Sequence, residues 1–265
     1  MTQPKALGII NEVRKTIIGK DTVVCKTLMA IIAGGHILLE DNPGVGKTTM
    51  ALAFSRAMSM SFSRVQFTPE TMPSDVVGYS VLGRESGKLE YRPGAIMCHL
   101  FLADEINRTS AKTQSALLEA MEEGQVTVDG VSRRLPRPYT VIATQNPFGT
   151  AGTQPLPESQ LDRFMIRLSI GYPTAEQEIG ILRQTEDKRP LESVRAAASL
   201  EEVTAMRGEA ARVHVADDLY KYVADLCTAT REDPALRLGA SPRAGQALVR
   251  ICLSLIHISE PTRRR

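Results

Sequence analysis

The segment Asp41-Asn-Pro-Gly-Val-Gly-Lys-Thr48 decides the fold class of this chain. It lies between an apolar run at residues 36–39 and a helical pattern at residues 48–58. A glycine-rich turn between a strand and a helix, closed by Lys and Thr, is typical of a P-loop that binds nucleotide phosphates. Gly44 and Gly46 let backbone N–H groups turn toward the phosphates, and the helix N-terminus adds its positive end.

The lysine and the threonine of this loop have separate predicted roles. Lys47 reaches the β- and γ-phosphates, and the Thr48 hydroxyl binds Mg²⁺. The loop begins with Asp41 where the usual pattern has glycine, but the two glycines nearest the phosphates remain. The alternative is a structural turn whose lysine is incidental. The predicted nucleotide-binding residues of the loop are Asn42, Pro43, Gly44, Val45, Gly46, Lys47, Thr48 and Thr49.

A second apolar run, residues 100–103, ends in the adjacent acids Asp104 and Glu105. Ligands of open α/β sheets bind at the carboxyl ends of the strands. Because successive strand residues point to opposite sides, the two carboxylates have different tasks. We predict that Asp104 holds Mg²⁺, directly or through water, and that Glu105 orients and deprotonates the attacking water. The alternative is a solvated acidic turn, which the order and spacing of the two motifs disfavour.

The alternation of apolar runs and helical patterns predicts an α/β fold with a central parallel sheet flanked by helices. After Pro173 only helical patterns follow, so we predict a nucleotide-binding domain at residues 1–172 and a small helical lid at residues 173–252. The predicted strands lie at residues 36–39, 65–67, 99–102, 140–143 and 164–170. The predicted helices include residues 48–58, 110–123, 175–186, 200–213, 217–231 and a helix from 241 onward.

Composition and charge limit the classes of function. Hydrophobic residues make up 43% and charged residues 23%, as in ordinary globular proteins. The cysteines are scattered, no apolar run is long enough for a membrane span, and the N-terminus has no signal-peptide pattern, so we expect a cytoplasmic protein. Outside residues 253–265 acidic and basic residues balance in number, which argues against nucleic acid as the partner.

The C-terminal residues form a separate segment. Leu253-Ser-Leu-Ile-His-Ile-Ser-Glu-Pro-Thr-Arg263 resembles the in-frame translation of a sequencing adapter. We therefore expect residues 253–265 to be a non-native tail and the lid to be truncated. The alternative is an ordinary amphipathic C-terminal helix that frays at Pro261. An incomplete lid leaves part of its helical face uncovered.

Three longer strings carry a resemblance to a known family. They are DEINRTSAKTQSALLEAMEEGQVTVDG from Asp104, TVIATQNPFGTAGTQPLPESQLDRF from Thr140, and GASPRA from Gly239. Together with the P-loop they resemble the MoxR family of AAA+ ATPases, and the likeness spans residues 10–250. The resemblance implies a P-loop AAA+ core with a small C-terminal all-helical lid, which uses ATP and Mg²⁺.

The resemblance also implies roles for single residues outside the two motifs. Asn146 matches the sensor 1 residue, on the strand between the two motif strands, and helps to position the attacking water. Arg163 matches the arginine finger that reaches the ATP site of the neighbouring subunit. Arg243 matches sensor 2 of the lid, which touches the γ-phosphate of its own subunit. Ile18 and Gly19 lie where the family has its adenine-side contact.

Each polar position has a structural alternative. Asn146 fits a turn residue, and Arg243 fits an exposed residue at the start of a helix. Arg163 fits an intramolecular ion pair with Asp162 or Glu158, since such pairs are common on protein surfaces.

Assembly and partners follow from the resemblance as well. Residues 67–92 and 124–138 resemble family inserts that face a central pore, and an arginine finger implies a ring, most simply a hexamer. The resemblance implies a chaperone-like ATPase that remodels or matures client proteins, often beside a von Willebrand factor A domain protein. Two alternatives remain open at this point: a nucleic-acid motor, and a nucleotide-dependent scaffold with little turnover.

Overall fold

The computed structural model describes residues 3–85, 87–146, 156–187, 190–256 and 258. Residues 147–155, which belong to the second family string, lie outside this description, as do residues 257 and 259–265 of the predicted tail. The described part of that tail continues the last helix to Leu255, and Ile258 is buried in the core.

The centre of the molecule is a five-stranded sheet whose paired strands are all parallel. The sheet order is β2-β5-β8-β1-β9, while β3–β4 and β6–β7 form two antiparallel hairpins. The strands are β1 (Ile37–Glu40), β2 (Phe62–Gln66), β3 (Gly78–Leu82), β4 (Leu89–Pro93), β5 (Leu100–Asp104), β6 (Gln125–Val128), β7 (Val131–Arg134), β8 (Thr140–Gln145) and β9 (Ile166–Leu168). Each predicted apolar run contributes a strand of the sheet, so the predicted α/β fold is confirmed.

Helices cover both faces of this sheet. They are α1 (Gln3–Arg14), α2 (Asp21–Ile32), α3 (Lys47–Ala57), α4 (Pro73–Val77), α5 (Ala111–Glu123), α6 (Glu158–Leu161), α7 (Ala175–Asp187), α8 (Leu200–Ala211), α9 (Asp217–Glu232) and α10 (Pro242–Leu255). Local chemistry sets the ends of α5: the Ser110 hydroxyl accepts from Thr113 N, and Gly124 takes a left-handed conformation with φ 63°. None of the helices in the described part combines the length and apolarity needed to cross a membrane.

The two faces of the sheet bury two apolar cores. Successive strand residues point to opposite faces, so Leu39 packs into the core under α1, α2 and α3, and Leu38 packs into the core under α5. Because both faces are covered, β5 and β8 are buried along their whole length. The sheet therefore holds the carboxyl ends of β1, β5 and β8 in fixed relative positions.

The helical region after Pro173 packs in two different ways. Val203, Met206 and Ala210 of α8 are buried in the first core, next to α2. Between α9 and α10 a cavity of about 580 Å³ remains open. Large apolar side chains on α9 and the loop after it are exposed, namely Leu219, Tyr220, Tyr222, Leu226, Leu236 and Leu238. The exposed apolar side chains thus lie on α9 and the loop after it, while α8 shares the core of the α/β unit.

Two hairpins occupy the segments that resemble pore-facing inserts. Helix α4 and the β3–β4 hairpin fall within residues 67–92, and the β6–β7 hairpin falls within residues 124–138. The hairpins touch, since the Arg133 guanidinium lies 4.0 Å from the centroid of the Tyr91 ring. Leu82 and Leu89 pair across β3 and β4, and they are 68% and 67% exposed.

His36, directly before β1, forms hydrogen bonds with two neighbouring elements, α5 and β8. Val141 N donates to His36 Nδ1 at 3.0 Å, so Nε2 carries the hydrogen and donates to Met121 O at 3.1 Å. Burial lowers the pKa of His36 to about 4. The side chain is therefore neutral in the folded protein at neutral pH.

This burial predicts a loss of stability in mild acid. Between about pH 6.5 and pH 4 the unfolded chain binds a proton at His36 that the folded chain does not, so stability falls as the pH drops through this window. We expect a loss of about 2–3 kcal/mol. Urea unfolding at a series of pH values measures it. His36→Asn flattens the dependence, and His214→Asn, at an exposed position, does not; equal slopes for both variants would contradict the assignment.

Candidate functional site

The glycine-rich loop connects β1 to α3. Gly44 and Gly46 have φ values of 84° and 95°, in the left-handed region that favours glycine. A Cβ atom added at Gly44 meets no atom within 4 Å, so the backbone conformation, and not lack of space, requires glycine there. Helix α3 begins at Lys47, directly after the loop. The loop therefore has the strand–turn–helix form that phosphate binding needs.

The Lys47 side chain lies folded over the loop. Its Nζ donates to Asp41 O at 2.6 Å and to Asn42 O at 3.0 Å. Burial lowers the pKa of Lys47, while the nearby carboxylates of Asp41, Asp104 and Glu105 act in the opposite direction. Because two of those carboxylates come from the end of β5, the structure brings the two predicted motifs together.

Asp41 is a residue of this site whose role sequence reasoning missed. Its carboxylate is buried and accepts from Ser169 Oγ at 2.7 Å, from Ile170 N, and from Gly171 N at 3.0 Å. These donors follow β9, where the chain leaves the sheet toward the helical region. Asp41 therefore joins the loop to that exit segment. The only sequence signal was an acid in place of the usual glycine.

We expect Asp41→Ala to lower the free energy of unfolding by about 2–4 kcal/mol, because buried donors lose a charged acceptor. Chemical denaturation measures the change. Asp225→Ala, at an exposed position of α9, is the matched control and costs less than about 0.5 kcal/mol. Similar losses for the two variants would contradict the structural role of Asp41.

Asp104 is the last residue of β5, Glu105 follows it, and a threonine of β8 hydrogen-bonds to both. Thr144 Oγ1 donates to Asp104 Oδ1 at 2.6 Å and accepts from Glu105 N at 2.9 Å. Arg64 Nη2 donates to the other Asp104 oxygen at 2.6 Å, and Arg108 Nη1 donates to Glu105 Oε2 at 2.8 Å. No sequence motif pointed to Thr144, although a hydroxyl on the strand next to an acid-ended strand was a usable signal.

The backbone and the neighbouring strand order also shape this corner. Glu105 has a φ of 57°, a left-handed conformation that is uncommon for non-glycine residues and recurs at active sites. Asn146 directly follows β8, which lies between β1 and β5 as predicted, and its carbonyl accepts from Asn107 Nδ2 at 3.3 Å. The Thr48 hydroxyl and the Asp104 carboxylate are oxygen ligands of the type that Mg²⁺ prefers, so the available donors fit this ion.

A cleft of about 580 Å³ lies beside the loop. Its lining combines loop residues with Ile18, which precedes α2, and with Ile181 and Leu182 of α7. Gly19 has a φ of 69°, and a Cβ atom there would lie 2.1 Å from Gln177 Nε2, so glycine permits the close approach of α7. Apolar walls next to a phosphate loop suit the base of a nucleotide.

Arg163 and Arg243 lie together, and neither lines that cleft. Arg163 Nε donates to Glu122 Oε2 at 2.8 Å, and Arg243 Nη2 donates to Oε1 of the same carboxylate. The resemblance had implied a contact of Arg243 with nucleotide bound in its own subunit. In the structure Arg243, at the start of α10, lies beside Arg163, because both guanidinium groups donate to the Glu122 carboxylate at the end of α5. The contact of Arg243 with nucleotide stays a prediction.

The alternative partners considered for Arg163 are engaged elsewhere. Glu158 pairs with Arg237, and Asp162 accepts from Ser241 Oγ at 2.7 Å. Arg163 does form an intramolecular ion pair, but its partner is Glu122, on an element that the sequence could not place next to it.

A parallel sheet of order β2-β5-β8-β1-β9, a glycine loop after β1 and acids after β5 define a P-loop nucleotide-binding domain. A model of the ATPase family associated with various cellular activities (AAA) matches residues 36–166. The chain belongs to the MoxR family of AAA+ ATPases.

The similar proteins span most of this chain. Chaperone MoxR1 of Mycobacterium tuberculosis is 36% identical over 255 residues, which cover 93% of this chain and 67% of MoxR1. Uncharacterized protein YeaC of Bacillus subtilis is 45% identical over 241 residues, 91% of this chain and 75% of YeaC. A crystal structure of a candidate ATPase from Cytophaga hutchinsonii superposes with a TM-score of 0.88 at 36% identity, covering 97% of this chain and 80% of that one.

Proposed function

We propose that this chain hydrolyses ATP with Mg²⁺ and uses the energy to remodel client proteins. The observation that carries the proposal is the corner where the loop, Asp104, Glu105 and Asn146 meet at the carboxyl ends of adjacent strands. In-line hydrolysis needs positioning and charge neutralisation more than covalent chemistry, and these groups supply both. Bound Mg²⁺ neutralises charge on the phosphate oxygens.

Each side chain at this corner has one proposed task. Lys47 binds the β- and γ-phosphates, and Thr48 and Asp104 hold the metal ion. Glu105 orients and deprotonates the attacking water, helped by Asn146. The Glu105 carboxylate is paired with Arg108. This ion pair must break before Glu105 can accept a proton from the attacking water. Ile18 and the neighbouring cleft wall contact the adenine ring.

The arrangement of the arginines supports a ring. Arg163 and Arg243 share the Glu122 carboxylate, and neither lines the cleft beside the loop. We propose that both serve ATP held by a second subunit. A head-to-tail contact repeated between identical subunits closes into a ring, and we propose a hexamer. Arg163, with Arg243 next to it, then faces ATP held by the neighbouring subunit.

The client is proposed to be a protein. The exposed Leu82–Leu89 pair on the β3–β4 hairpin offers an apolar contact, and hydrolysis shifts the hairpins relative to the bound client. A relative named as a chaperone, MoxR1, supports this choice. We further propose a cytoplasmic location and a von Willebrand factor A domain protein as a partner.

ATP turnover measured against protein concentration tests the proposal. Specific activity that rises with concentration, together with larger particles in ATP by size-exclusion chromatography, supports a shared site. Turnover at a fixed value per subunit, with a monomeric size in ATP, would overturn the ring. Strong stimulation by DNA that falls steeply with salt would favour the nucleic-acid motor instead. ATP binding without turnover would favour the alternative of a nucleotide-dependent scaffold.

A further inference from the structure

Glu122 joins the two arginines through a single carboxylate. It lies at the carboxyl end of α5, while Arg163 follows α6 and Arg243 is at the start of α10. One oxygen of Glu122 accepts from each guanidinium group. Three separate elements therefore meet at a side chain to which neither the sequence motifs nor the proposed function assigns a role.

The contacts leave both arginines able to bind a further anion. Arg163 contacts Glu122 through Nε, and among the described residues its two Nη groups donate no hydrogen bond. The side chains of Arg163 and Arg243 are 29% and 44% exposed, so an anion can reach them. They line a cavity of about 370 Å³ that also contains Arg250.

The charge around Glu122 is positive overall among the residues lining this cavity. Three arginines line it, against the acids Glu122 and Asp162. Hydrogen bonds from Arg163 and then Arg243 lower the pKa of Glu122, so its carboxylate stays ionised. The remaining positive charge suits a phosphate group.

We propose that Glu122 is a positioning residue that aims Arg163 and Arg243 together at ATP bound by the neighbouring subunit. This inference rests on the proposed function. A free arginine side chain loses rotamer entropy when it is held in one geometry. Glu122 orders both side chains before the phosphate binds. The entropy needed to order them therefore adds less to the activation free energy of hydrolysis.

The fold around Glu122 does not depend on this carboxylate alone. The Asp162–Ser241 hydrogen bond and the Glu158–Arg237 ion pair also join the start of α10 and the loop before it to the α6 region. Glu122 is itself at the surface. The variant Glu122→Gln therefore keeps the fold, and a thermal melt checks this.

The matched pair for the test is Glu122→Gln and Glu123→Gln, neighbouring exposed acids on one helix. We expect Glu122→Gln to lower kcat by about tenfold to a hundredfold with little change in KM for ATP, because the loop of the neighbour still binds the nucleotide. Glu123→Gln stays within about twofold of the wild type.

Mixing subunits separates positioning from a structural defect. Glu122→Gln subunits keep an intact loop and Glu105, while Glu105→Gln subunits keep intact arginines. We expect mixtures to exceed the activity of either variant alone. A wild-type kcat in Glu122→Gln, or a loss of activity that mixing does not restore, would overturn the positioning role and leave the proposed function standing. Absence of turnover in the wild type would overturn the proposed function and this role with it.

Discussion

Arg163→Ala lowers ATP turnover by about 10³–10⁵-fold, because a guanidinium that neutralises charge on the transferred phosphoryl group is lost. KM for ATP changes little, since the loop and Lys47 that bind the phosphates belong to the neighbouring subunit. The measurement is steady-state turnover at a protein concentration where the wild type has reached its highest specific activity.

Two results would contradict this role for Arg163. One is turnover close to that of the wild type. The other is a loss of activity that accompanies a lower melting temperature, because Arg163 also pairs with Glu122 inside the subunit. Arg237→Ala is the matched control, since it removes a neighbouring exposed ion pair with Glu158 and leaves Arg163 and Arg243 in place.

Glu105→Gln lowers turnover by about 10²–10⁴-fold while ATP binding is retained. Glutamine keeps the size of the side chain but cannot take a proton from water. Removing the carboxylate also removes the ion pair with Arg108, which is a surface contact of small energetic value. Single-turnover hydrolysis and equilibrium binding of a fluorescent ATP analogue measure the two quantities separately.

The control for Glu105 is Arg108→Gln, which breaks the same ion pair and leaves the carboxylate. If the pair restrains Glu105 before catalysis, Arg108→Gln keeps turnover or raises it. Unchanged turnover in Glu105→Gln would remove Glu105 from the catalytic step and favour the scaffold alternative.

Local sequence determined the fold and the phosphate loop. The central strands β1, β5 and β8 are buried on both faces, so their apolar runs were visible as strands without knowledge of their neighbours. The alternation with helices implied a parallel sheet. Gly44 and Gly46 were readable because their backbone conformation is a local requirement. The acids after β5 were readable because the carboxyl end of a strand is where ligands of such sheets bind.

Only the tertiary structure decided which distant side chains form hydrogen bonds and ion pairs with each other. Asp41 accepts hydrogen bonds from residues that follow β9, and Thr144 donates to Asp104 on the adjacent strand. Glu122 forms ion pairs with both Arg163 and Arg243. These pairs are separated along the chain by between 40 and 130 residues. Hydrogen bonds and ion pairs depend on side-chain distance in space, which no periodicity encodes, whereas strand burial and glycine conformation act within a few residues of the chain.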